Sequence, residues 1–189
     1  MKSFRERGIR AVKMDDIAHN LGISKRTLYE LYSNKEDLLV EVIKLQFKLR
    51  QERMEELKKN CNNVMDILTG VLGMQIEYAS QTNSNFYKDL VRYSRAEKLL
   101  ESYYDNESSE AHEFFAEGVK EGFFIDKVNF DIFKKIMANN IKQIRTSEEF
   151  SDLTYQDLFL NYLYVAVRGI CTNKGIEQID AFINSVKLS

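Results

Sequence analysis

The chain contains no proline. Average usage would place about nine in a chain of 189 residues. Without proline no helix is forced to break where a backbone donor is missing, and glycine is also scarce, so long helices are favoured over sheets. Cysteine is limited to Cys61 and Cys171, far apart and without CxxC spacing. That excludes a disulfide framework and leaves two reduced thiols as the expectation. His19 and His112 are the only histidines, too few for most metal sites, and no metal or cofactor is expected. No run of about 18 apolar residues occurs, so no membrane span and no membrane partner is expected. The opening MKSFRERGIR has no apolar core of the signal-peptide type, which points to the cytoplasm.

The hydrophobic fraction is 44% and the charged fraction 30%, ordinary values for a globular chain long enough for one large domain or two small ones. Net charge is −2, but it is unevenly spread. Residues 1–60 hold 14 Lys and Arg against 10 Asp and Glu, and residues 61–189 hold 13 against 19. A basic N-terminal part on an acidic body points to an anionic partner at one end only.

Helical signals run through the whole chain. Ser3 to Arg7 reads as the end of a helix closed by Gly8. Met14 to Leu21 forms a second helix with Asp15 and Asp16 in its first turn, and Gly22 ends it. Ser24 is placed to cap a third helix, Lys25 to Tyr32, and Asn34 with Asp37 to cap a fourth. The fourth runs to about Lys59, with Leu38, Leu39, Val42, Leu45, Leu49 and Leu57 at roughly helical spacing. Such a continuous helix would make the basic unit and the acidic body move together. Further helices are predicted near 64–81, 85–103, 107–122, 129–145, 153–171 and 175–187.

Met14 to Leu39 has the spacing of a helix-turn-helix, a unit that places one helix in the major groove of DNA. Ile17, Leu21, Ile23, Leu28 and Leu31 can face one small core. Ala18 sits where two helices cross closely, and Gly22 permits the turn at positive φ. Ser24, Lys25, Arg26, Thr27 and Tyr29 bring hydrogen-bond donors and cations to the start of the third helix, where the helix end itself attracts phosphate. Arg26 matches guanine O6 and N7, and Thr27 suits base edges or the thymine methyl. Tyr29 reaches toward a phosphate oxygen, and Lys35 is placed to hold the flanking backbone. Tyr32 is expected to pack in the core.

These residues carry a resemblance. Gly8-Ile9, Met14-Asp15-Asp16-Ile17-Ala18, Gly22 to Tyr29 and Lys35-Glu36-Asp37-Leu38-Leu39, in that order, resemble the DNA-binding domain of TetR-family transcriptional regulators over roughly residues 3–45. The resemblance implies an all-α homodimer. Its N-terminal helix-turn-helix domain would span 1–45, with a truncated first helix, and a helical-bundle ligand-binding and dimerisation domain would span 46–189. It places the DNA contacts on Lys25, Arg26, Thr27, Tyr29 and Lys35. Three features depart from the family: the short first helix, Val12 and Lys13 in place of hydroxyl residues before the second helix, and Glu30 and Leu31 at positions often basic or aromatic. Glu30 beside DNA would repel phosphate or accept from a cytosine amine; a solvated position away from the backbone is the simpler expectation.

Aromatic residues are frequent after residue 75, and a helical bundle lined with Tyr, Phe and Met can enclose an apolar ligand. Met74, Tyr78, Tyr93, Phe115 and Met137 are the candidate lining, and a small hydrophobic ligand is expected. The segment 157–171 is apolar on more than one side, so it must be buried on several faces, either inside the subunit or at an interface. The resemblance implies dimerisation through the last two helices, with Phe159, Tyr162, Leu163, Ala166, Ile170, Ile179, Phe182 and Ile183 as candidates.

No GxGxxG, Walker A or GxSxG motif occurs, nor a Glu-x-x-His pair, so no enzyme is expected. The sequence therefore reads as a DNA-binding transcriptional regulator, a homodimeric repressor released from a near-palindromic operator by a ligand. The alternative is an all-α ligand- or protein-binding protein whose helix-turn-helix no longer binds DNA.

Overall fold

The computed structural model describes residues 1–106, 108–150 and 152–186 and is built of helices. In chain order they are α1 (Lys2–Arg7), α2 (Met14–Asn20), α3 (Lys25–Leu31), α4 (Lys35–Asn60), α5 (Val64–Ser80), α6 (Asn85–Leu90), α7 (Ser94–Asn106), α8 (Ser108–Lys120) and α9 (Phe130–Thr146). The last ones are α10 (Tyr155–Leu158), a π-helical turn Phe159–Leu163, α11 (Tyr164–Gly169) and α12 (Asn173–Ser185). The helix ends expected at 107 and 187 lie outside the described residues. Among the described residues no helix is long and apolar enough to cross a membrane, and Cys61 and Cys171 are both free.

The chain divides into two compact units that do not follow chain order. One joins Met1–Glu52 to Gln81–Asn106, and the other joins Arg53–Ser80 to Glu107–Ser189. The point of division falls inside α4.

In the first unit the core is made by Phe4, Ile9, Val12, Met14, Ala18, Leu28, Leu38, Leu39, Ile43, Phe86, Leu90 and Ala96. Ile17, Ile23 and Tyr32 pack against it, as expected. Leu21 and Leu31, which were expected in this core, are 64% and 67% exposed. A helix of two turns presents only one line of residues inward. On α2 that line is Met14 and Ala18, and on α3 it is Leu28. Ile9 and Val12 from the α1–α2 connection are fully buried in this core. Leu45 and Leu49 on α4 are also exposed. The predicted helix over 85–103 is broken at residues 91–93, where the Arg92 and Tyr93 amides bond back to Asp89 and Leu90. The break lets α6 and α7 take separate directions, and both Leu90 and Ala96 reach the core.

In the second unit the core gathers Val64, Met65 and Leu72 of α5, Phe123 and Phe124, the line Phe159, Leu163, Val167 and Ile170, then Cys171 and Ile179. Phe115 stacks on Phe130 with ring centroids 4.4 Å apart, and Phe124 lies beside both. Gly118 makes room for that ring, because a Cβ there would overlap Phe124. The predicted single helix 153–171 is interrupted by the π turn. The inward line Phe159, Leu163, Val167 and Ile170 continues through it at helical spacing.

Candidate nucleic-acid interface

The recognition unit is held from inside and open outside. Leu28 anchors α3, with 1% of its surface exposed. Ser24 caps the helix, its Oγ accepting the Thr27 amide at 3.0 Å, and the two hydroxyls share a 2.8 Å hydrogen bond. Gly22 makes the preceding turn at φ 66. Asn34 caps α4 by accepting the Asp37 amide at 2.9 Å. The cap of α2 is one-sided: Asp16 Oδ2 accepts the Lys13 amide at 3.1 Å, but an ammonium has no lone pair with which to return the bond.

With that anchoring, Ser24, Lys25, Arg26, Thr27 and Tyr29 are all exposed on α3 and its cap. Lys25 Nζ lies 2.9 Å from Asp15 Oδ2 on α2 and 5.9 Å from the Tyr29 ring centre. The hydrogen bond to Asp15, with its charge, raises the Lys25 pKa. Arg26 Nε lies 2.8 Å from Glu30 Oε1, one turn further along. The face therefore presents cations, hydroxyls and one aromatic side chain, a set able to bond both base edges and phosphates.

Lys35 stands apart from this group. Its Nζ donates to the Ile9 carbonyl at 3.0 Å, half-buried, and burial lowers its pKa against the opposing pull of Asp89 and Asp16. An ammonium engaged there fastens α4 to the α1–α2 connection. Two similar fastenings escaped the sequence reading. Asp89, buried, accepts the Arg10 amide at 2.8 Å, and Arg95 holds Asp37 at 2.6 Å while its amide donates to Glu36 at 2.8 Å. Neither has a local signal, because each joins residues more than 55 positions apart. The Arg26–Glu30 pair was legible as an i,i+4 spacing.

Of the candidate ligand residues, Phe115 and Met137 pack against the second unit's core, and Met74 and Tyr78 are half-buried on α5. Tyr93 belongs to the first unit instead, where it packs at the α6–α7 turn and burial raises its hydroxyl pKa. Two hollows are present elsewhere. One of about 470 Å³ is lined by Leu31, Tyr32, Val40, Lys44, Arg95 and their neighbours, and one of about 460 Å³ by Tyr164, Val165, Arg168 and Gly169.

Of the candidate dimer residues, Phe159, Leu163, Ile170 and Ile179 are buried in the chain's own core. Side chains closed off inside one chain cannot form a contact surface, so these four are corrected to core. Tyr162, Ala166, Phe182 and Ile183 are half-buried, with the Tyr162 hydroxyl accepting from Asn140 at 2.9 Å. The sequence reading missed Val165, 57% exposed on α11. Beside it Asp180 accepts from the Tyr164 hydroxyl at 2.7 Å and from Arg168 at 3.0 Å.

Residues 1–42 match the family described as bacterial regulatory proteins, tetR family. The chain is 23% identical over 180 residues to the HTH-type transcriptional repressor KstR2 of Mycobacterium tuberculosis, covering 92% of this chain and 89% of the relative. The solved structure of that ketosteroid transcriptional regulator superposes with a TM-score of 0.55 over 90% of each chain. A gamma-butyrolactone receptor (ArpA like protein) gives 0.64 at 14% identity, covering 97% of this chain and 92% of that one. FadR from Bacillus subtilis in complex with stearoyl-CoA gives 0.56 at 17% identity, covering 97% and 93%. At these identities the structural likenesses show the fold.

Proposed function

The chain is a transcriptional regulator of the TetR family, and we propose that it acts as a homodimeric repressor whose α3 enters the major groove of operator DNA. The observation that supports this most is the exposed set Lys25, Arg26, Thr27 and Tyr29 on a helix held in place by buried Leu28 and capped by Ser24. Arg26 donates to guanine O6 and N7, Thr27 meets a base edge or a thymine methyl, and Lys25, Ser24 and Tyr29 hold phosphate oxygens. Two copies would read half-sites about one helical turn apart or somewhat more, which requires a near-palindrome.

The second unit would take a small apolar ligand against Phe115 and Met137. The stearoyl-CoA bound to the FadR relative supports the apolar character through its acyl chain alone, since its CoA part is large and phosphorylated. Release follows when the ligand binds more tightly to the dimer state that does not fit the operator. The dimer contact would use the half-buried and exposed residues of the last two helices, Val165 and Phe182 among them. Residues 1–45 would serve as the DNA-binding domain and 46–189 as the ligand-binding and dimerisation domain, with α6 and α7 packed on the former.

The test is fluorescence anisotropy on an operator selected from random duplexes. Affinity is expected to fall steeply with salt, and Arg26→Ala with Tyr29→Ala to abolish discrimination. Wild-type affinity in that double variant would overturn the site. One observation favours the second reading, a helix-turn-helix that no longer holds DNA. Residues 14–31 carry Lys25 and Arg26 against Asp15, Asp16 and Glu30, a net of −1. That reading expects no saturable DNA binding even at low salt.

A further inference from the structure

Both cations on the exposed face of α3 are met by a carboxylate. Lys25 faces Asp15 at 2.9 Å and Arg26 faces Glu30 at 2.8 Å, and all four side chains are more than half exposed. Exposed pairs of this kind add little to folding stability, so the fold does not require them. The positive excess of the N-terminal part lies elsewhere. Residues 1–13 carry Lys2, Arg5, Arg7, Arg10 and Lys13 against Glu6 alone, whereas residues 14–31 are net −1. A reading surface that relied on phosphate attraction would be charged the other way.

We propose that Asp15 and Glu30 determine specificity by balancing Lys25 and Arg26, so that α2 and α3 attract little DNA of arbitrary sequence and the Arg26–Glu30 pair reads a G·C base pair as one unit. The proposal rests on α3 being the recognition helix. Non-specific binding is almost wholly electrostatic. A carboxylate within a Debye length of the duplex, about 8 Å at physiological salt, opposes it directly. The chemistry of the two destinations then differs. When Arg26 leaves Glu30 for a phosphate, the carboxylate is left beside a polyanion that offers it no donor. When Arg26 moves to guanine O6 and N7, the cytosine of the same pair presents its N4 amine to Glu30. A G·C pair gives Arg26 two adjacent acceptors on one base and Glu30 an amine, whereas adenine sets a donor beside its N7 and offers the guanidinium no such pair. Asp15 has no such exchange and acts on Lys25 by charge alone.

The experiment compares the wild type with Glu30→Gln, Asp15→Asn and Glu117→Gln. Glu117, paired with Lys120 at 3.1 Å, lies in the other compact unit, and its substitution removes the same single charge. Anisotropy is measured on a random-sequence duplex and on a selected operator between 50 and 200 mM salt, after circular dichroism confirms equal helix content. Glu30→Gln and Asp15→Asn are expected to bind the random duplex about three- to ten-fold more tightly, with a log–log salt slope steeper by about 0.9. Glu30→Gln is also expected to lower the operator-to-random ratio and relax the preference at one G·C position, while Glu117→Gln stays at the wild-type value. Random-duplex affinities of Glu30→Gln and Asp15→Asn no higher than that of Glu117→Gln, with the wild type still binding, overturn this inference and leave the proposed function standing. Absence of binding by every protein at 50 mM salt overturns both.

Discussion

The recognition helix of the first unit is placed by short-range signals, whereas the second unit is assembled by packing between distant segments. In the first, the cap at Ser24, the turn at Gly22 and the anchor at Leu28 all lie within seven residues of one another, and they place the exposed side chains of α3. In the second, Val64 and Met65 of α5 share a core with Phe123, Phe159 and Ile179, and Gly118 is needed to admit the Phe124 ring. The difference is that in the first unit the functional candidates are the residues not used for packing. In the second unit the core residues and the candidates for a ligand lining or a dimer face are of the same apolar types.

The sharpest way to break this comparison is to remove one anchor from each unit. Phe159→Ala is expected to cost about 3–5 kcal/mol and Leu28→Ala about 2–5 kcal/mol in urea unfolding. If the units depend on different anchors, Leu28→Ala lowers DNA affinity far more than Phe159→Ala at a temperature where both variants stay folded. Equal losses of DNA affinity would remove the distinction.

A smaller effect is expected at Lys35. Lys35→Ala leaves the Ile9 carbonyl without its charged donor and should destabilise the protein by about 1–2 kcal/mol, part of the range for such a bond because the site is only half-buried. A phosphate contact would behave differently, flattening the salt dependence of DNA binding with no loss of thermal stability. Smaller again is Ser24→Ala, for which loss of the cap should lower stability by about 1 kcal/mol. Hydrogen exchange at the Thr27 amide, now without its acceptor, should speed up relative to Leu28. Least affected should be Leu31→Ser, whose side chain is 67% exposed. A change within about 0.5 kcal/mol is expected, and a cost of several times that would place Leu31 in the core after all.

Much of the first unit could be read in advance because its determinants are local. Ser24, Asn34 and Gly22 announce helix ends by their own chemistry, and Leu28 follows from a helical period. The errors there came from counting every periodic leucine as inward. Leu21 and Leu31 satisfy the spacing, but α2 and α3 are too short to bury a second line, while Ile9 and Val12, outside the helices, are fully buried. The Lys35–Ile9 bond has no such local signal, because a lysine at the start of a helix looks free until the neighbouring carbonyl is known. In the second unit helix content was legible, but the use of each face was not. Phe159 and Leu163 fit the helical period equally well at an interface or in the core, and only their burial assigns them to the core.

The residues alone determined that this chain is helical, that its N-terminal part is a helix-turn-helix, and that Ser24, Lys25, Arg26, Thr27 and Tyr29 face outward while Leu28 faces in. Each of these depends on dihedral preference, capping or a period of 3.6 residues, and all three act within a few positions. Only the tertiary structure decided that 81–106 joins the N-terminal unit, that Lys35 holds Ile9, and that Asp15 faces Lys25. Those depend on which surfaces meet after the chain has turned back on itself, and distance along the sequence carries no record of that.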